Sequence, residues 1–460
     1  MNGVRLVARG RLADLAPQTL ARLLDRSPHD DPGLAASVAT IIADVRARGD
    51  RALLEMAERF DGVRLESLEV PRAAWDRAVA ALDPRVRGAL ERAAVNIRRF
   101  HAAQLPPEVS LEVEPGVRIT RAWTPLARVG VYAPGGRAAY PSSVLMGVVP
   151  AKAAGVAEVV VGSPPGPSGL PPAEVLAACA IGGADRLFAL GGAGAVAALT
   201  YGTESVPAAD AVVGPGNRWV TEAKRQVAGD VTIDSPAGPS EVLVVADERA
   251  DARLVALELM AQAEHDPDAA CVAVTTSQRL AAAVEAELAT ALADAPRAEI
   301  CRRALAASGA VMVADSLAEA LDFARRYAPE HLSVMTKDAG ADARTVHTAG
   351  TTFVGPAASV AFGDYLTGAN HVLPTAGRAK SFSGLSTAHY LRSYTIQEID
   401  PTGAASMAAD VAILAEAEGL PAHAAAARAA GALATRAGGD RPRPTRRTGR
   451  RSTRRGGEDA

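Results

Sequence analysis

The grammar of the chain changes at Arg128, and that change constrains the fold more than any other feature. From there short β-branched runs alternate with alanine-rich stretches of helical length. RVGVYAP is followed by a helix over 142–154, AEVVVGSP, a helix near 172–181, DRLFAL, a helix around 196–200, and DAVVGPG. After DSPAGPS the pattern restarts: EVLVVAD, a helix from about 249 to 265, AACVAVTT, one long helix over 278–307, AVMVAD, a helix near 317–327, HLSVMT and TTFVG. Strands alternating with helices require parallel, mostly buried sheets with right-handed crossovers. Two blocks of similar length predict an α/β fold of two Rossmann-like parallel-sheet units, related by duplication. Upstream, residues 13–110 carry apolar residues at three- and four-residue spacing, punctuated by Pro and Gly, and read as a helical region. Beyond Gly355 the pattern dissolves into a Gly/Ser/Thr-rich segment that is too long for an idle loop. A short helical piece over about 404–430 then precedes the C-terminal tail.

Composition narrows the function classes. Only three cysteines occur in 460 residues, with no CxxC pair, so a disulfide framework is excluded and a reducing compartment fits. The start, MNGVRLVARGRLADLAP, lacks the apolar stretch of a secretory signal, and no uncharged run approaches the ~20 residues that span a bilayer. A cytoplasmic protein without membrane partners is expected. The net charge of −3 hides an asymmetry: residues 436–460 hold nine Arg and three acids. Such a segment cannot bury a core and reads as a disordered basic tail. A nucleic-acid tether is the functional alternative for it, but no aromatic residue interleaves the arginines to stack on bases.

Several clusters could carry chemistry. Gly192-Ala-Gly194-Ala-Val-Ala197 follows a strand, opens a helix and formally satisfies the dinucleotide pattern GxGxxA. Gly214-Pro-Gly216-Asn217 ends the strand DAVV before a helix, where backbone amides could hold a phosphate or ribose. The cysteines sit in apolar runs or among arginines and read as packing residues. Of the eight histidines, His29, His101, His347 and His389 read as surface residues. The others lie in dense polar settings: Gln262 with His265, Glu330-His331, Asp364 with Asn370-His371, and Glu418 with His423. Gln262 and His265 share one helical face, and nitrogen and oxygen ligands gathered from distant segments suit Zn²⁺ or a related ion. A hydrogen-bonded polar cluster is the competing reading. Glu330-His331, near the start of a strand, could supply general acid and base near neutral pH.

GVYAPGG, DSPAGPSEVLVVAD, AQAEHDP, YAPEHL, GDYLTGANHVLPT and SGLST occur in one order, and over about residues 10–432 the chain resembles the histidinol dehydrogenase family. The resemblance implies oxidation of L-histidinol to L-histidine in two NAD-dependent steps through bound histidinal, within histidine biosynthesis. It implies zinc ligands at Gln262, His265, Asp364 and His423, and an acid/base pair at Glu330 and His331. Substrate contacts would fall on Ser240, His371 and Glu418, besides His331 and the zinc ligands. NAD contacts would fall on Tyr132, Asn217 and position 194. There the family's GGAQA segment reads GGAGA, so Gly194 lacks the side-chain amide and the GxGxxA match is accidental.

The resemblance also implies a homodimer with a swapped C-terminal arm, in which Glu418 and His423 complete the other subunit's site. The expected organisation is an arm over 1–29 and a Rossmann-like unit of 30–127 with 239–380 that carries the zinc and acid/base residues. The NAD-binding unit would span 128–238, the partner-reaching arm 381–434 and the tail 435–460. A related enzyme acting on another small alcohol, such as a sulfonated diol, is the alternative within enzymes. A basic-tailed nucleic-acid-binding protein is the alternative outside them.

Overall fold

The computed structural model describes residues 4–26, 31–135 and 139–433. The basic tail and His29 therefore lie outside the described residues. The chain divides into two units, one of residues 1–106 and 125–392, the other of residues 107–124 and 393 onward.

The first unit holds two parallel sheets. The five-stranded sheet contains β4 (Arg128–Tyr132), β5 (Glu158–Ser163), β6 (Arg186–Ala189), β7 (Ala211–Val213) and β8 (Thr232–Ile233), in the order β6-β5-β4-β7-β8. The six-stranded sheet contains β1 (Ala8–Arg11), β9 (Glu241–Ala246), β10 (Ala270–Thr275), β11 (Gly309–Val313), β12 (His331–Met335) and β13 (Thr351–Val354), in the order β1-β11-β10-β9-β12-β13. With β1 set aside as an edge strand, both sheets repeat one order: third, second, first, fourth, fifth. Each reverses direction of winding between its first and fourth strands, β4 and β7 in one sheet, β9 and β12 in the other.

The valine runs explain why both sheets are covered on both faces. Val159, Val160 and Val161 are each fully buried, and so are Val242 to Val245. Each such side chain contributes about 1.5–3 kcal/mol when removed from water. On the five-stranded sheet, Trp75 and Ile97 from the helices Arg72–Ala81 and Pro84–Ala102 pack with Val129, Val131 and Val161. Val38, Ile42 and Val45 of the helix Pro32–Arg48 cover Val160, Phe188 and Val212 on the opposite face. Residues 31–102 thus bury their apolar faces on the five-stranded sheet, whereas the sequence groups 30–127 with 239–380. The N-terminal segment is likewise no separate arm: β1 pairs in parallel with β11, and Leu23 packs beside Leu243 and Phe323.

Two further differences have local causes. The long helix expected over 278–307 is broken into Gln278–Asp294 and Ala298–Ser308, because Ala295 precedes Pro296 and takes an extended conformation. Residues 109–125, unassigned or helical in the sequence reading, form the antiparallel pair β2 (Val109–Glu114) and β3 (Val117–Pro125).

The second unit joins β2 and β3 with β14 (Leu391–Ile399) in the order β14-β3-β2, and adds the helices Pro401–Ala417 and Pro421–Gly431. The two helices share a buried cluster of only Ala412, Ala415 and Ala424. Leu111 is 60 % exposed, Ile413 62 % and Leu414 65 %. No described helix is long and apolar enough to cross a membrane.

Candidate active site

A cavity of about 360 Å³ lies between facing ends of the two parallel sheets, and residues of the first unit line it. Tyr132, the last residue of β4, is buried, and its hydroxyl accepts from Gly192 N at 3.3 Å. Burial pushes its pKa up to about 12. Across the winding reversal, β7 runs into Gly214, whose φ of +117° only glycine adopts at ease. A Cβ there would meet the Tyr132 carbonyl oxygen at 2.1 Å. The Gly214 amide donates to Asp234 at 2.8 Å and its carbonyl accepts from Lys224 Nζ at 3.1 Å. Lys224 and Asp234 also form a buried ion pair, so one charged clamp grips both sides of the turn. The clamp sets Asn217 at the start of the helix Arg218–Val227. Its Oδ1 accepts from Trp219 N at 3.0 Å and Val220 N at 3.3 Å, which commits the oxygen to the cap.

The opposite wall comes from the six-stranded sheet. Glu330 Oε2 accepts from Glu241 N at 2.7 Å, and His331 Nδ1 lies 2.9 Å from Glu241 O. A carbonyl can only accept, so Nδ1 carries a proton and, in the neutral imidazole, Nε2 is the free, basic nitrogen. Nε2 is buried without a hydrogen-bond partner, 3.6 Å from Asp364 Oδ1. Burial pushes the Glu330 carboxyl upward. Burial alone would lower His331, but the Glu330 carboxylate at 3.5 Å and Asp364 outweigh it and raise the imidazole. Two such groups in one pocket titrate as a pair.

Gln262, on the last turn of the helix Ala252–Ala263, is buried and its Nε2 has no partner. His265 and Asp364 line the same cavity. Burial holds His265 below the usual imidazole range and hence neutral. Burial would raise Asp364, but the nearby His331 and the other surrounding imidazoles lower it and keep it ionised. An orphaned amide that can turn its oxygen inward, a neutral imidazole and a carboxylate make a donor set suited to a borderline cation such as Zn²⁺. Among the described residues no three His, Cys, Asp or Glu side chains gather closely enough to hold a metal by themselves. His371 Nδ1 donates to Asp364 O at 2.8 Å and its Nε2 lies 3.4 Å from Ser143 Oγ. Ser240 completes this wall.

The structure thus brings together Tyr132, Asn217, Ser240, Gln262, His265, Glu330, His331, Asp364 and His371. It does not bring in Gly194, which is buried in the helix Gly192–Tyr201. A Cβ there would point at Met56 Sδ, 3.0 Å away, and Leu53. Glu418 and His423 belong to the second unit and are exposed there. His101 and His389, expected at the surface, are structural. His101 is buried, with Nδ1 donating to Ile97 O at 2.9 Å, and His389 caps a turn through Ser386. Glu241 and the Lys224–Asp234 clamp escape the sequence reading, although an acid opening an apolar strand run (EVLVV) signals a buried, partnered carboxylate.

Two parallel sheets, a glycine turn at a winding reversal and a buried acid–imidazole pair define the class, an α/β oxidoreductase. The family model described as "Histidinol dehydrogenase" matches residues 24–430. A histidinol dehydrogenase of Methanosarcina mazei is 46 % identical over 91 % of this chain and 96 % of its own length. That of Halobacterium salinarum is 49 % identical over 90 % and 97 %. The crystal structure of histidinol dehydrogenase from Elizabethkingia anophelis superposes with a TM-score of 0.88 at 32 % identity, covering 93 % of this chain and 98 % of that one. The chain belongs to the histidinol dehydrogenase family.

Proposed function

We propose that this chain oxidises L-histidinol to L-histidine, a four-electron reaction through bound histidinal that uses zinc and two NAD. The observation that carries the reading is the buried Glu330–His331 pair, whose free imidazole nitrogen faces the cavity beside Gln262, His265 and Asp364. Those three residues would hold the zinc, a Lewis acid that, when bound, draws and orients the substrate's nitrogen donors. Tyr132 and Asn217 would hold NAD, which supplies the acceptor for both hydrides. His331 Nε2 takes the proton of the substrate hydroxyl, because Nδ1 is tied to Glu241 O. Glu330, raised by burial into the range of a useful base, takes a proton from the water that adds to the aldehyde carbon. A covalent thiol route has no candidate, since Cys179, Cys271 and Cys301 are all buried and none lines the cavity.

The exposed apolar residues of the second unit, Ile413, Leu414 and Leu420 among them, support a homodimer in which Glu418 and His423 complete the partner's site. The repeated strand order supports descent of the two sheets from one duplicated unit. The cytoplasm is the expected compartment.

Counting NADH per histidinol consumed in zinc-supplemented buffer tests the reaction. Two are expected, and one NADH with free aldehyde accumulating would overturn it. Mixing His331→Ala with His423→Ala under shown subunit exchange tests the shared site. About one quarter of wild-type activity should return in a symmetric dimer, and none if both residues serve one subunit.

A further inference from the structure

Glu241 holds both members of the acid/base pair with its main chain, its N–H on Glu330 and its C=O on His331. Its side chain is in turn gripped from two sides. Arg26 Nε meets Oε1 at 2.8 Å and Nη2 meets Oε2 at 3.0 Å, a bidentate pair with both side chains at or below 10 % exposure. Ala376 N donates to Oε1 at 2.7 Å. The remaining donors of Arg26 go to the carbonyls of Leu23, Leu24 and Tyr327, at 3.1, 3.2 and 2.8 Å. The guanidinium also stacks on the Tyr327 ring, 3.5 Å from its centre. All five N–H donors are therefore used, and no other side chain reproduces that fork.

We infer that Arg26 and Glu241 are positioning residues for the reaction, a buried ion pair that fixes the acid/base pair through the Glu241 peptide groups. A buried pair is an expensive way to gain stability alone. Here it has a second effect: it sets the first residue of β9, the one residue whose amide and carbonyl select the reactive nitrogen of His331 and aim Glu330. Arg26 acts across more than 200 residues of sequence without touching the cavity chemistry itself.

The inference rests on the histidinol reading, so wild-type turnover is measured first. No NADH from histidinol there removes that reading and leaves the inference without its reaction. With wild-type turnover in hand, Arg26→Lys and Glu241→Gln should lower kcat by about tenfold to a hundredfold, the effect of slightly misplaced reacting groups. KM for histidinol should stay within about threefold, because the binding residues Gln262, His265 and Asp364 are untouched. In a His331→Asn background Arg26→Lys should cost little further, since the group it positions is gone. Activities are expressed per folded molecule from circular dichroism, and Arg26→Lys serves if Glu241→Gln does not fold. Unchanged kcat per folded molecule, or full additivity with His331→Asn, would overturn the inference and leave the pair a fold element only.

Discussion

The five-stranded sheet meets the cavity with the carboxyl ends of β4 and β7, the six-stranded sheet with the amino ends of β9 and β12. In open parallel sheets ligands gather outside the carboxyl ends, where the winding reverses. The first sheet obeys that rule and the second inverts it. At the carboxyl end of the second sheet, Asp247 fills the equivalent position and accepts from Arg249 N at 3.0 Å and Lys337 N at 2.6 Å. The difference has a physical basis. A carboxyl end feeds into a turn whose amides and following helix suit a nucleotide. Here the amino end offers Glu241, the first residue of its strand, whose amide and carbonyl orient Glu330 and His331 for proton transfer.

Substitutions can break this division of labour. The largest effect belongs to the amino-end side: His331→Asn should lower kcat by about 10²–10⁴-fold, the usual contribution of an oriented base. A loss below tenfold in NADH kinetics would show that proton transfer does not depend on Nε2. On the carboxyl-end side, Gly214→Ala forces a Cβ toward the Tyr132 carbonyl from a left-handed backbone. At least about 1–3 kcal/mol of stability should go, with weaker NAD binding, read by urea unfolding and titration of NAD.

His101 connects the two sides, because Asn370 Nδ2 lies 3.5 Å from its Nε2 just before His371. Burial lowers its folded pKa below the ordinary value near 6.5. The unfolded chain therefore binds the proton more readily. Stability is intact above about pH 6.5 and declines as pH falls toward the folded value. His101→Gln should flatten part of that decline in unfolding midpoints between about pH 7.5 and 5.5. An unchanged slope would assign the acid sensitivity to other groups. The smallest effect is expected at position 194. A hydrogen bond to NAD would tighten binding about two- to twelve-fold, but Gly194→Gln should leave the NAD Kd within about twofold, because the new side chain starts toward Met56. Clear tightening would mean that the side chain turns back to the cofactor.

Much of this contrast was legible in the residues. EVLVVAD, AACVAVTT and HLSVMT announce buried parallel strands by their unbroken β-branched runs, and the structure places strands there. β1 was not legible, because ARGR is charged and becomes a strand only by pairing with β11. Helices 31–102 carry no mark of which sheet they cover, since amphipathic spacing tells that a face is buried and not against what. In the site, Glu330 and His331 were visible as a dipeptide. The Glu241 peptide that orients them is not, because a main-chain contact leaves no trace in side-chain identity. GGAGA looked like a nucleotide loop for the opposite reason: pattern without direction, with Gly194 facing the core.

The three cysteines carry a practical consequence. Cys179 lies in the core of the five-stranded sheet, Cys271 and Cys301 in that of the six-stranded sheet. Burial pushes all three thiols upward in pKa and seals them from solvent. An alkylating reagent needs the exposed thiolate, so in the native state it reacts only during an opening event. The molecule carries its own clocks: the rate at which Cys179 is labelled times the breathing of one half, and the rates at Cys271 and Cys301 time the other.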